Sequence, residues 1–242
     1  MNWYKLTYKI EDNLGVIPSL AYDDRAVKPD YYQDKIQNNG FWKYDEPIFL
    51  RMFEDYEVPL IARDVNHWSS GRPWANIIAC SSQFIRCIKT LEDIPLYNYY
   101  PAKLRIKENY YDNFVFHYLH NMFDTIDYTE SQFALRNYGE DYTPVFLYRY
   151  GELKNSEHIR QINREQFSND LKVTPIKLIF RDGIHYDIWS LYGQHIISEK
   201  AMLLFKEAGI TGIDMIPLKE TEWKHLEIVM PQTQKLSVVI EK

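Results

Sequence analysis

Residues 198–219, SEKAMLLFKEAGITGIDMIPLK, decide the expected fold because residues 82–103, SQFIRCIKTLEDIPLYNYYPAK, follow the same pattern. Identical residues fall at one constant spacing without a gap: Ser82, Ile94, Pro101 and Lys103 align with Ser198, Ile210, Pro217 and Lys219. Each copy starts with a Ser that is typical of a helix N-cap, continues with a helical apolar stripe, and reaches an apolar run that ends in Pro-x-Lys. The chain is therefore predicted to contain two related helix-then-strand units, at 82–103 and 198–219.

Short apolar runs outside the two units are typical of strands. They are residues 3–10, 145–150, 176–181, 185–190, 225–230 and 235–240. Residues 47–53 and 58–62 fit either two short strands or one broken helix, and residues 66–75 are expected to form a loop. No Gly/Ser linker separates the halves. We predict a single α+β domain over residues 1–242, with a mostly antiparallel sheet, packed helices and possible lobes at 1–109 and 110–242.

The composition excludes several classes of protein. With 20 Tyr, 12 Phe and 6 Trp against 9 Gly in 242 residues, the chain has enough apolar material for a folded core, so disorder is not expected. Its net charge of −6 and its scattered Lys and Arg residues argue against a nucleic-acid partner. Cys80 and Cys87 are expected to be buried thiols.

The sequence also gives no membrane or export signal. It contains no apolar run long enough to cross a bilayer. Residues 1–5, MNWYK, have neither the basic flank nor the apolar segment of a signal peptide. We therefore expect a cytoplasmic protein with no membrane partner.

Residues 113–135, NFVFHYLHNMFDTIDYTESQFAL, allow two structures with different chemistry. In a helix, His117, His120, Asp124 and Asp127 would share one face, where two imidazoles and two carboxylates could hold a divalent metal. In a strand, His117 and His120 would point to opposite faces, and no such group would form. The spacing matches no common helical metal motif, so a hydrogen-bonded, partly buried His pair is the favoured interpretation and no metal is predicted.

The first quarter of the chain mixes acidic and aromatic residues. One interpretation is a solvated rim above a partly buried aromatic layer. The other is a binding surface for a basic protein, in which aromatic anchors add affinity and carboxylates speed the encounter. The residues predicted for that surface are Trp42, Tyr44, Asp45, Glu46, Glu54, Asp55 and Tyr56.

The second unit and its lead-in, Asp187–Glu220, resemble the C-terminal signature of immunity proteins from bacterial polymorphic toxin systems. In that signature an apolar strand leads into Ser-Glu-Lys, an amphipathic helix, an Ala-Gly-x-Thr-Gly turn and an apolar strand closed by Pro. The matching residues are Ser198, Glu199, Lys200, Ala208, Gly209, Thr211, Gly212 and Pro217. Upstream, the family's paired Tyr and Asp-x-x-x-Ser are matched by Tyr110, Tyr111, Asp127 and Ser131.

The resemblance implies a protein that is not an enzyme and that needs no cofactor. Such a protein binds a cognate toxin domain in the cytoplasm and blocks its active site or its access to substrate. The sequence contains no phosphate loop, dinucleotide fingerprint, nucleophile elbow or zinc-protease motif. The alternatives are a small hydrolase or transferase with a carboxylate/His site between two lobes, and a binding module for a peptide or a bacterial surface component.

Overall fold

The computed structural model describes residues 2–9, 19–22, 48–52, 63–68, 77–119, 122–137, 144–181, 186–191 and 194–229. The helices in these ranges are α1 (Ser82–Thr90), α2 (Ser156–Glu165) and α3 (Glu199–Glu207). The strands are β1 (Trp3–Tyr8), β2 (Ser19–Tyr22), β3 (Ile48–Met52), β4 (Val65–Trp68), β5 (Ile77–Cys80), β6 (Tyr97–Ile106), β7 (Asn109–Tyr118), β8 (Gln132–Asn137), β9 (Pro144–Leu147), β10 (Leu171–Ile179), β11 (Ile188–Leu191), β12 (Gln194–Ser198), β13 (Ile213–Pro217) and β14 (Glu227–Val229). The sheets are mostly antiparallel, which confirms the predicted α+β class.

The chain divides into two compact units. The first unit combines Met1–His120 with Asp187–Pro217, and the second combines Asn121–Tyr186 with Leu218–Lys242. The lobe boundary predicted between residues 109 and 110 falls inside the β6–β7 hairpin, because Ile106 pairs with Asn109 across its turn. Contacts along this hairpin hold β6 and β7 in one unit, and the chain returns to that unit at Asp187.

The described residues of the first unit form two β-sheets. One is a four-stranded sheet in the order β11-β12-β1-β13, and the other is a closed barrel in the order β2-β3-β6-β7-β5-β4. The core draws on both sheets and on helices α1 and α3. Phe84 of α1 and Phe205 of α3 are fully buried, and their ring centroids lie 5.2 Å apart. The apolar faces of the two helices are therefore buried together.

The two sheets of the first unit repeat one arrangement. In the barrel, the β4–β5 hairpin leads to α1 and then β6, while β7 lies between β5 and β6. In the open sheet, the β11–β12 hairpin leads to α3 and then β13, while β1 lies between β12 and β13. Pro101 and Pro217, matched by sequence, both lie opposite an aromatic residue of the central strand, Phe114 and Tyr4 respectively.

The helix starts of the two copies differ by one residue from the sequence alignment, which pairs Ser82 with Ser198. The N-cap of α1 is Ser81, whose Oγ accepts the N–H groups of Gln83 and Phe84 at 3.1 and 3.2 Å. The prediction of Ser82 as the cap is therefore wrong, since Ser82 is the first helical residue. Ser198 is the N-cap of α3, as predicted. A hydroxyl stands at both positions 81 and 82, so the sequence pattern alone could not choose between them.

Among its described residues, the second unit contains a sheet of four strands in the order β14-β10-β8-β9, together with α2. Tyr128 stacks on Phe133 of β8 with ring centroids 5.7 Å apart. Asn163 of α2 accepts the N–H of Val173 at 2.7 Å, which ties the helix to the first half of β10. The buried residues Phe133, Leu153, Ile159, Val173 and Leu178 contribute to the apolar interior of this unit.

Candidate protein-binding surface

The seven residues predicted for partner binding, Trp42, Tyr44, Asp45, Glu46, Glu54, Asp55 and Tyr56, lie outside the described residues. Their role stays a prediction. Among the described residues, the structure places a second candidate for protein binding in the second unit, on strand β9.

Strand β9 exposes apolar side chains at consecutive positions. Val145, Phe146 and Leu147 are 57, 50 and 49 % exposed, although adjacent residues of a strand point to opposite faces of the sheet. An ordinary surface strand buries alternate residues and exposes polar ones. Both faces of β9 therefore offer apolar surface, a pattern that marks interaction sites when the residues are contiguous.

β9 is also the edge of its sheet. It pairs with β8 on one side, and no described strand pairs with its other side. Tyr148 donates its N–H to the carbonyl of Phe133 at 3.0 Å. Main-chain groups alternate between the two sides of an antiparallel strand, so Leu147, one residue earlier, directs its N–H and C=O away from β8. An edge with outward main-chain groups can accept a further strand.

The neighbouring residues hold β9 in place. Phe146 lies opposite Leu135, and its ring packs edge-on against Tyr148 with centroids 4.9 Å apart. The register shifts between Leu135 and Arg136, so that Val145 is the extra residue of a bulge. Next along the chain, the hydroxyl of the exposed Tyr150 lies 3.5 Å from the Gln132 side chain. The edge strand is therefore fixed by its own sheet while its apolar side chains face solvent.

The metal group considered from the sequence is not assembled on a helix. His117 lies in strand β7, where burial lowers its pKa. Asp124 lies in a 3₁₀ helix, Met122–Thr125, and Asp127 accepts hydrogen bonds from Thr129 at 2.9 and 2.6 Å. His120 is outside the described residues. Within the described ranges, no three His, Cys, Asp or Glu side chains are grouped so that they could hold a metal ion.

The hydroxyl of each cap serine is hydrogen-bonded to a carboxylate. Ser81 donates to Asp64 and Ser198 donates to Asp187, both at 2.6 Å. Each Oγ, however, also accepts helix N–H groups, which uses the hydroxyl as a cap. In both copies the Asp immediately precedes the first strand of the hairpin, at the start of β4 or β11. The two Ser–Asp pairs are equivalent structural ties that join a helix start to a strand.

A group of titratable residues lies in the core of the first unit. The ring of His195 stacks on Tyr118 at 5.7 Å, and both residues are buried. Burial lowers the pKa of His195 to about 4 and raises the pKa of Tyr118. Burial and the neighbouring Cys80 raise the pKa of Tyr8 to about 12. These shifts keep all of the groups neutral near pH 7, as suits side chains that pack in or against the core.

No protein-family model matches the chain, and no curated protein matches it. Among the described residues, no helix combines the length and the apolar composition that crossing a membrane requires. The exposed β9 edge could not be found from sequence. Residues 145–150 predict a strand, but whether a strand lies at the edge of a sheet depends on pairing with distant residues.

Proposed function

We propose that the protein is an immunity protein, which binds a cognate bacterial toxin domain in the cytoplasm and blocks its active site or its access to substrate. The observation that carries the proposal is the exposed apolar edge strand β9, because it suits binding to another protein. The resemblance of Asp187–Glu220 to the immunity-protein signature indicates the kind of partner, which is a bacterial toxin domain. In this proposal the protein carries out no reaction and needs no cofactor.

The chemistry of β9 favours a protein over other partners. Binding to a nucleic acid depends on Lys and Arg contacts to phosphates, so apolar side chains on both faces of a strand would contribute little to it. A protein partner can cover Val145, Phe146 and Leu147 and can also pair with the main-chain groups of Leu147. Phe146 is the best single anchor, since aromatic residues often dominate binding energy at the centre of an interface.

The first step is to look beside the gene of this protein for a gene that encodes a secreted toxin, and the test then uses bacteria that produce its toxin domain. Wild-type protein should protect the cells, and Phe146→Glu should abolish protection because it places a charge on the contact surface. Leu203→Glu is the matched control, since Leu203 of α3 is 58 % exposed but belongs to the first unit. Circular dichroism and a urea titration establish that both variants are folded.

The binding affinity gives the quantitative result. Loss of a central aromatic anchor costs at least about 2 kcal/mol, which corresponds to a dissociation constant raised about 30-fold or more. The Leu203 control should stay close to the wild-type value. If folded Phe146→Glu protein protects cells and binds toxin as the wild type does, β9 is not the interface. If wild-type protein binds no toxin, the proposed function itself is wrong.

A further inference from the structure

The central strands of the two related sheets differ in how they are connected. In the barrel, β7 directly follows its neighbour β6 through the turn at residues 107–108. In the open sheet, β1 lies between β12 and β13 but is adjacent in sequence to neither. The open sheet therefore obtains its central strand from a distant part of the chain.

Strand β1 fills a groove between its two neighbours. Trp3 to Leu6 pair with β12, and Tyr4 to Tyr8 pair with β13, so β1 forms ladders on both sides. Leu6 is 3 % exposed and belongs to the core cluster. Trp3 packs edge-on against the buried Trp189 with ring centroids 5.9 Å apart. Removal of β1 would separate β12 from β13 and open the core between them.

We infer that this groove binds strand β1 of a second copy of the chain when folding occurs at high protein concentration, so that two chains exchange their β1 strands. The exchanged strand makes the same two ladders and the same core contacts, and no new interface has to be designed for it. In the folded protein, exchange requires both ladders to open. The exchanged dimer should therefore form on refolding and then persist.

The experiment uses two full-length variants, Thr7→Cys and Asp214→Cys. Thr7 and Asp214 are paired across β1 and β13 and neither is a core residue. Their Cα atoms are expected to lie about 5.5 Å apart, within the range of a disulfide. Neither variant can form this bond within its own chain. A protein carrying both substitutions should form it internally, which verifies the geometry.

The two single variants are unfolded together in urea, refolded at high concentration and then oxidised. Exchange predicts a disulfide-linked dimer between the two variants, in a yield that rises with protein concentration. The same proteins mixed while folded should give little of it. Wild-type protein refolded in parallel controls for disulfides through Cys80 and Cys87, and size-exclusion chromatography measures its dimer fraction.

Each result has a defined meaning. A monomer at every refolding concentration overturns the inference. The inference is also overturned if the wild type forms a dimer and the double variant forms its internal disulfide, but the two single variants do not cross-link. The dimer would then be of a different kind. If the double variant forms no disulfide, wild-type chains with and without a mass label are refolded together and cross-linked chemically. Exchange predicts cross-links between Lys5 of one chain and β13 of the other, so that labelled chains are joined to unlabelled ones. Cross-links that lie only within single chains contradict exchange.

Discussion

Replacement of Gly212 by Ala should destabilise the first unit much more than replacement of Gly209. Both glycines have positive φ, +85° for Gly212 and +65° for Gly209. A Cβ at position 212 would lie 2.1 Å from the carbonyl oxygen of Val65 and 2.9 Å from Cβ of Arg63. At position 209 it would meet no heavy atom within 4 Å. The two sites thus share backbone strain but differ in steric overlap.

The expected magnitudes follow from these two terms. A left-handed conformation costs a residue with a Cβ about 1 kcal/mol, and this is the whole expected cost of Gly209→Ala. At Gly212 the chain must also move away from Val65, which adds about 1–3 kcal/mol. The movement would disturb two main-chain hydrogen bonds, Lys9 N–H to the Gly212 carbonyl at 3.0 Å and Val65 N–H to the Thr211 carbonyl at 3.1 Å. We therefore expect Gly212→Ala to cost about 2–4 kcal/mol in total.

Urea denaturation measures both variants against the wild type. The two substitutions have the same chemistry, so the difference between their free energies of unfolding isolates the steric term. Unchanged m-values would show that the midpoint shifts report stability. Equal costs for Gly209→Ala and Gly212→Ala would refute the close approach of Gly212 to strand β4.

Three further predictions concern other parts of the chain. Burial lowers the pKa of His195 from 6.5 to about 4, so as the pH falls the unfolded chain binds a proton before the folded chain does. The free energy of unfolding should therefore fall by about 3 kcal/mol from pH 6.5 to pH 4, and His195→Gln should flatten this dependence in urea titrations at each pH. Ser81→Ala should cost at least about 1 kcal/mol because it removes both the helix cap and the hydrogen bond to Asp64, whereas Ser82→Ala should be nearly neutral; thermal unfolding measures both variants. Reversal of the charge of the acidic residues predicted to bind the partner should slow association with a basic toxin, and the effect should be smaller at high salt. Truncation of the aromatic residues should mainly speed dissociation, and unchanged kinetics would exclude this surface. The acidic residues are Asp45, Glu46, Glu54 and Asp55, and the aromatic residues are Trp42 and Tyr44.

Local patterns predicted several elements well. The alternation in residues 3–10 corresponds to β1 (Trp3–Tyr8). Residues 47–53, which fit either a strand or part of a broken helix, contain β3 (Ile48–Met52). Both helices that begin after a cap serine were predicted. The helices were predicted because one buried face imposes a regular apolar period, as Phe84, Ile85 and Ile88 do in α1. The choice between helix and strand near His117 needed the structure, because aromatic and β-branched residues suit a buried strand as well as a helix.

Other elements left weaker signals. Helix α2 (Ser156–Glu165) was not predicted, since Ile159 is its one buried residue and most of its surface is polar. Residues 66–75 were expected to be a loop, yet β4 (Val65–Trp68) covers their start because it pairs with β5. The edge position of β9 and the central position of β1 both depend on pairing with strands distant in sequence. A single sequence without such pairing information cannot fix them.

Binding of the purified protein to its toxin domain, followed by amide hydrogen exchange, tests the central claim most directly. We expect a complex that inhibits the toxin and slows exchange across β9, above all at the amide of Leu147, which faces away from β8. Buried amides of β8 serve as an internal reference, because they should exchange slowly with or without toxin. Inhibition with unchanged exchange at Leu147 would place the interface elsewhere, and the absence of any complex with an active toxin domain would contradict the proposed function.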